Sequence, residues 1–253
     1  MDAITVSTPL KLRPPQFYMP EHTLVVQTQM EEPALTAVDH KADPIKSIED
    51  ILLIRDYLHG QNRYRDQLLF IMGINFGLRI SDLLRLRVGD ILTPELEYRL
   101  PVVVREGKTG KARKLYVNQA IHEAFSDYIA SLGALDLNAL LFQGYKGKPM
   151  CRRNADYLLR GIMDDLNLPY NCGTHMLRKT FAYWTLKTAR DKQRALYYLQ
   201  KTLNHSSATT TLFYAGITDD EIMETSMNLN LGYRSVLDPE AVFMTCAGGE
   251  VDV

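Results

Sequence analysis

Residues 203–216 read LNHSSATTTLFYAG. Ser206 to Tyr214 carries the pattern of a short helix, and Tyr214 stands nine residues after His205. A helix of that length brings the phenol back towards the imidazole. A phenol beside an imidazole is a candidate nucleophile with its proton acceptor. A tyrosine between Phe213 and Ala215 on a helix is more often a packed core residue, so the stretch acquires chemical meaning only with partners elsewhere.

Those partners stand upstream. Gly173-Thr174-His175-Met176-Leu177-Arg178 opens a helix and places His175 and Arg178 three residues apart on one face, where the helix N-terminus itself favours an anion. Gly77-Leu78-Arg79-Ile80-Ser81-Asp82-Leu83 sets an arginine beside a tight turn, its fork suited to phosphate oxygens. Gly107-Lys108-Thr109-Gly110 is a turn between two extended stretches, Tyr98 to Val104 and Lys114 to Val117, and reads as a β-hairpin with a basic tip. Arg79, Lys108, His175, Arg178, His205 and Tyr214 together supply two guanidiniums, an ammonium, two imidazoles and a phenol. Such a set suits metal-free phosphoryl transfer to a tyrosine.

The rest of the chain is mostly helical. Ser47 and Asp50 are spaced as a capping pair ahead of a stripe of Ile51, Ile54, Tyr57 and Leu58, which Gly60 ends. Arg63 to Asn75 is apolar nearly all round and predicts a core helix, interrupted at Gly77. A short helix over Ser81 to Leu86 follows, with Leu83, Leu84 and Leu86 facing inward. Further helices are expected at 118–131, 154–166, 175–189, 191–202, 206–214 and 218–229. The fold class is α+β, mainly α, with one small antiparallel sheet.

The chain has 253 residues and a formal net charge of -1, a bulk figure that argues against a small basic nucleic-acid-binding protein. Its distribution argues otherwise. Residues 1–50 sum to -4 and residues 215–253 to -7, which leaves +10 on residues 51–214. A basic body between acidic ends suits a polyphosphate partner. Cys151, Cys172 and Cys246 fit neither a disulfide framework nor a zinc site, and a reducing cytosol is the natural setting. No apolar run is long enough to cross a membrane.

The stretches GLRISDLLRLRVGD (77–90), EGKTGKARKLYV (106–117), THMLRKTF (174–181) and LNHSSATTTLFYAG (203–216), in that order and spacing, resemble the signature boxes of the tyrosine recombinase (phage integrase) family. The resemblance covers roughly residues 47–229 and implies that family's catalytic domain. It implies that Arg79 and Arg178 hold the oxygens of a scissile phosphate and that Tyr214 attacks to give a 3'-phosphotyrosine. Lys108 would protonate the leaving 5'-oxygen, His175 would accept the tyrosine proton, and His205 would donate a hydrogen bond to the phosphate. Asp82 would support by orienting its neighbours. Arg85, Arg87, Lys111, Arg113 and Lys179 are the candidate contacts to DNA.

The function implied is that of a site-specific recombinase, cytoplasmic and nucleoid-associated. It would need no cofactor and no metal, and would work as a homotetramer on double-stranded DNA carrying specific sites, with an accessory directionality or clamp protein. A regulator of the same fold without strand exchange, a topoisomerase-like strand-passage enzyme and a fragment of a split recombinase are the alternatives. The expected layout is a proline-rich arm over 1–46, extended or disordered, a catalytic domain over 47–232 and an acidic tail over 233–253. Residues 218–232 would dock on a neighbouring protomer. The sequence departs from the family in two places: only 46 residues precede the catalytic region where the family carries a helical clamp domain, and Asn204 replaces the usual glycine before His205. Two lookalikes fall away. Gly107-Lys108-Thr109 resembles the end of a P-loop, but Val102 stands where that motif needs glycine, and Cys172, His175 and His205 lack paired cysteine spacing for zinc.

Overall fold

The structure, a computed structural model, describes residues 4, 5 and 42–216. The chain divides into two compact units, 1–215 and 216–253, and of the second only Gly216 is described. The expected helix over 218–229 and the acidic tail therefore lie outside the described residues.

Helix α1 (Ile48–Gly60) starts where the capping pair places it: Ser47 Oγ accepts the Asp50 amide at 2.9 Å, and Ile54 and Leu58 are buried. Helix α2 (Tyr64–Phe76) is buried from Asp66 through Gly73, as an all-round apolar segment requires. It ends at Gly77 in the left-handed region at φ 56°. A Cβ on Gly77 would sit 2.2 Å from the Phe181 ring, so both conformation and space demand glycine there. Gly73 likewise lets Leu177 approach to 2.6 Å of where a Cβ would be. These two glycines seat helix α7 (His175–Thr188), which carries two of the candidate site residues, directly against α2.

Between them the chain runs through α3 (Ile80–Leu83) and α4 (Val88–Ile91). The expected helix over 81–86 shortens to one turn, while Leu83, Leu84 and Leu86 are all buried as expected. A turn as short as α4 has no periodicity to read; Asp90 holds it by accepting the Arg87 amide at 2.8 Å.

Strands β2 (Val102–Arg105) and β3 (Ala112–Leu115) form the antiparallel hairpin, in register Val102↔Leu115 to Arg105↔Ala112. The ladder starts at Val102 rather than Tyr98 because Pro101 has no amide hydrogen to give it, and Tyr98 bridges Leu92 instead. Helices α5 (Gln119–Ala130), α6 (Arg152–Asp165), α8 (Lys192–Leu203) and α9 (Ala208–Tyr214) follow. Each lies within two residues of its expected range.

Residues 42–46, counted with the arm on sequence grounds, pack on the body. Ile45 is fully buried, its amide donates to Thr180 Oγ1 at 2.9 Å, and its carbonyl accepts from Trp184 Nε1 at 2.9 Å. An isolated isoleucine among polar residues shows no period, so its anchoring role has no sequence signature. Ile4 and Thr5 (β1) pair with β4 (Ala134–Leu135) in a two-residue ladder too short to read in advance.

Candidate active site

Three connections bring the site residues together. The α8 to α9 corner turns at Asn204, whose left-handed φ of 56° caps α8 and leads into His205. The Ser207 hydroxyl caps α9 by accepting the Thr210 amide at 3.1 Å, which sets the direction in which α9 presents Tyr214. The α2 to α3 corner presents Arg79, and the α7 N-terminus presents His175.

Arg79, Lys108, His175, Arg178, His205 and Tyr214 all line one cavity of about 530 Å³, together with Lys111 and Asn204. His175 Nδ1 lies 3.3 Å from the Tyr214 hydroxyl, and the rings of His205 and Tyr214 meet edge-on at 5.1 Å. Burial pushes the Tyr214 phenol above its ordinary value although Arg178 and Arg79 pull it down, so it is protonated at neutral pH. Burial, with the cations of Arg152, Arg178, Lys179 and Arg79, pushes the His175 imidazole below its ordinary value. A neutral imidazole thus faces a protonated phenol across a hydrogen-bonding distance.

Arg178 is 4% exposed, donating Nη1 to the Gly77 carbonyl at 3.0 Å and Nη2 to the Leu203 carbonyl at 3.2 Å. Burial lowers its guanidinium to about 10, still charged at neutral pH. Through these two carbonyls Arg178 ties the α2 corner to the α8 corner. Burial and the same arginines lower His205, and Thr211 Oγ1 meets its Nδ1 at 3.2 Å. Asp82 is buried, and its Oδ1 accepts the Gly107 amide at 3.0 Å, which fixes the turn that carries Lys108.

Of the five candidate DNA contacts, one is displaced. Arg113 is turned into the fold: its side chain is 12% exposed, and its guanidinium donates to the Phe76 and Gly77 carbonyls. It pairs across the hairpin with Val104, whose face is buried, so strand alternation turns Arg113 inward. Lys111 faces the cavity and donates to Asn204 Oδ1 at 2.9 Å. Lys179 Nζ lies 5.9 Å from the Tyr214 ring centroid. Arg85 is exposed beside Gly107, and the exposed Arg87 donates to the Asn138 carbonyl.

Sequence reasoning missed Glu106. It is 4% exposed, and its Oε2 accepts from Arg79 Nη1 at 2.7 Å and from the Thr109 hydroxyl at 3.0 Å. An acid beside a turn usually faces solvent, and only its place one residue before Gly107 hinted otherwise.

A phenol facing a neutral imidazole under two guanidiniums, on a helical body with one small hairpin, defines a class: domains built to pass a phosphoryl group through a tyrosine. The phage integrase family model matches residues 45–221, and the chain belongs to that family, the tyrosine recombinases. It is 36% identical over 182 residues to a probable integrase/recombinase, YoeC, of Bacillus subtilis strain 168, covering 72% of this chain and 93% of that protein. It is 30% identical to the tyrosine recombinase XerC of Caldanaerobacter subterraneus, covering 70% of this chain and 48% of that one. The chain thus spans nearly all of the first relative and about half of the second. Among solved structures, the XerA recombinase superposes with a TM-score of 0.57 at 20% identity, covering 76% of this chain and 67% of that chain. The XerH recombinase bound to its difH substrate gives 0.54 at 20% identity, with 74% and 53% covered. These two share the fold. No described helix is long and apolar enough to cross a membrane.

Proposed function

We propose that the protein is a site-specific DNA recombinase that cuts and rejoins strands through Tyr214. The observation that carries this reading is the convergence of six polar side chains, from four separate stretches of sequence, on a single cavity. The Tyr214 oxygen attacks phosphorus as its proton passes to His175 across the 3.3 Å contact. The bond from phosphorus to the 5'-oxygen breaks, and Lys108 supplies the proton that oxygen needs. Arg79 and Arg178 hold the non-bridging oxygens, where charge grows in the transition state, and His205 adds a hydrogen bond. Attack by a 5'-hydroxyl from another strand reverses the step and restores the phenol. The phosphotyrosine conserves the bond energy, so the exchange needs no nucleotide.

The partner is double-stranded DNA carrying specific sites, engaged by Lys111, Lys179, Arg85 and Arg87. The basic stretch 51–214 supplies the attraction to the phosphate backbone. Four protomers act on two duplexes, with residues 218–232 docking on a neighbour, and an accessory protein supplies directionality or the clamp. The setting is the cytoplasm, at the nucleoid. Incubation with a nicked duplex that releases its short 5'-hydroxyl fragment tests the reading. The expected result, in the presence of EDTA, is a protein–DNA adduct stable to detergent; a binding regulator of this fold gives none, and none would overturn the proposal.

A further inference from the structure

Glu106 is a buried carboxylate bonded to Arg79 and Thr109, both of which line the cavity that must receive an anion, and no step above uses it. It sits at the base of the turn that carries Lys108. Its amide donates to the Lys111 carbonyl at 3.0 Å, its carbonyl accepts the Gly110 amide at 2.8 Å, and its Oε2 joins Arg79 to Thr109. One residue on, the Gly107 amide is held by Asp82. The turn is therefore held by two carboxylates, Asp82 at the Gly107 amide and Glu106 at the Thr109 hydroxyl, and Glu106 connects it to the guanidinium of Arg79. The turn packs closely on these side chains: a Cβ on Gly107 would stand 3.1 Å from Arg85 Nη1 and 3.3 Å from Asp82 Oδ1.

The same carboxylate opposes the ligand. Its other oxygen, Oε1, is buried without a hydrogen bond and has Arg113 Nη1 only at 3.9 Å. Hydrogen bonds from Arg79 and Thr109 outweigh the burial that would raise its pKa, so the group is ionised at neutral pH. A buried negative charge beside a phosphate weakens phosphate binding, and its retention asks for a return elsewhere.

We propose that Glu106 is a positioning residue that locks Arg79 and the Lys108 turn into one rigid unit, giving up DNA affinity to hold the leaving-group acid and the phosphate clamp in register. The inference rests on the strand-transfer reading. It predicts a loss of rate with no loss of binding, which a purely structural residue does not. Glu106→Gln keeps the size and one acceptor oxygen but removes the charge that holds Arg79.

Non-covalent affinity for a duplex site, measured with Glu106→Gln, should stay equal or rise up to about tenfold. Single-turnover cleavage of the nicked duplex by the same variant should fall tenfold or more, on the scale expected for misplaced catalytic groups. NMR order parameters for the Thr109 and Gly110 amides should drop in Glu106→Gln without DNA. That readout decides the inference even if the wild type forms no adduct, an outcome that would sink the strand-transfer reading alone. Unchanged cleavage with unchanged turn order overturns the proposal, as does a parallel loss of binding and cleavage.

Discussion

His175 and Tyr214 show how the two pKa directions work together. Burial keeps the Tyr214 phenol protonated at neutral pH, so attack needs a proton acceptor, and the lowered His175 imidazole is free to be one. Because His175 is shifted down, its competent neutral form persists below pH 6.5 and is lost only as pH falls through its lowered value. The second-order cleavage rate at limiting enzyme, which reports the free protein's groups, should therefore be level near neutrality, with its acid limb centred below 6.5. His175→Gln should abolish that limb, and a limb centred above 6.5 would contradict the assignment. The polar residues of the site were legible in the sequence because guanidiniums, imidazoles and a phenol in ordered boxes have few other uses. Glu106 was not, because its meaning depends on Arg79, which stands 27 positions away and meets it only in the fold.

At the scale of elements, the hairpin separates residues that the sequence presents as equals. Lys111, Arg113 and Lys114 form one basic run, yet Arg113, paired with Val104, turns to the buried face, while Lys111 stands in the turn before the ladder and lines the cavity. Composition shows a basic tip; only cross-strand pairing shows which charge is structural. Lys111→Ala should reduce the salt slope of DNA binding by about one, as loss of a single phosphate contact does. Arg113→Met should leave that slope alone and lower the melting temperature, taking the guanidinium donor from the Phe76 carbonyl at a cost of about 1–3 kcal/mol, while Arg178 still holds the Gly77 carbonyl. Salt-titrated binding and thermal unfolding of the two variants check the pair, and the reverse pattern would refute it. The longer helices were readable to within two residues from caps and periodicity, whereas α3 ends at Leu83, three residues short of its expected end. The one-turn α4 and the two-residue β1 to β4 ladder were not readable, because neither is long enough to have a period.

For the molecule as a whole, the net charge of -1 conceals a basic stretch over 51–214 between acidic ends. The anchoring of residues 42–46 through Ile45 moves the start of the packed body a few residues ahead of Ser47, and any truncation of the arm should spare them. At the other end, a chain stopped before residue 218 keeps every proposed catalytic group. It should cleave a single site within about threefold of the full chain but fail to exchange strands between paired sites. Strand exchange at full rate by that truncated chain would remove the trans-docking proposal while leaving the chemistry intact.

The central claim is that Tyr214 carries the DNA strand. The direct measurement is peptide mapping by mass spectrometry of the adduct trapped on a nicked duplex, run beside Tyr214→Phe. The account predicts a nucleotide on the peptide bearing Tyr214 and no adduct from Tyr214→Phe, which still binds the duplex. A nucleotide mapped to another residue, or any adduct formed by Tyr214→Phe, would contradict it.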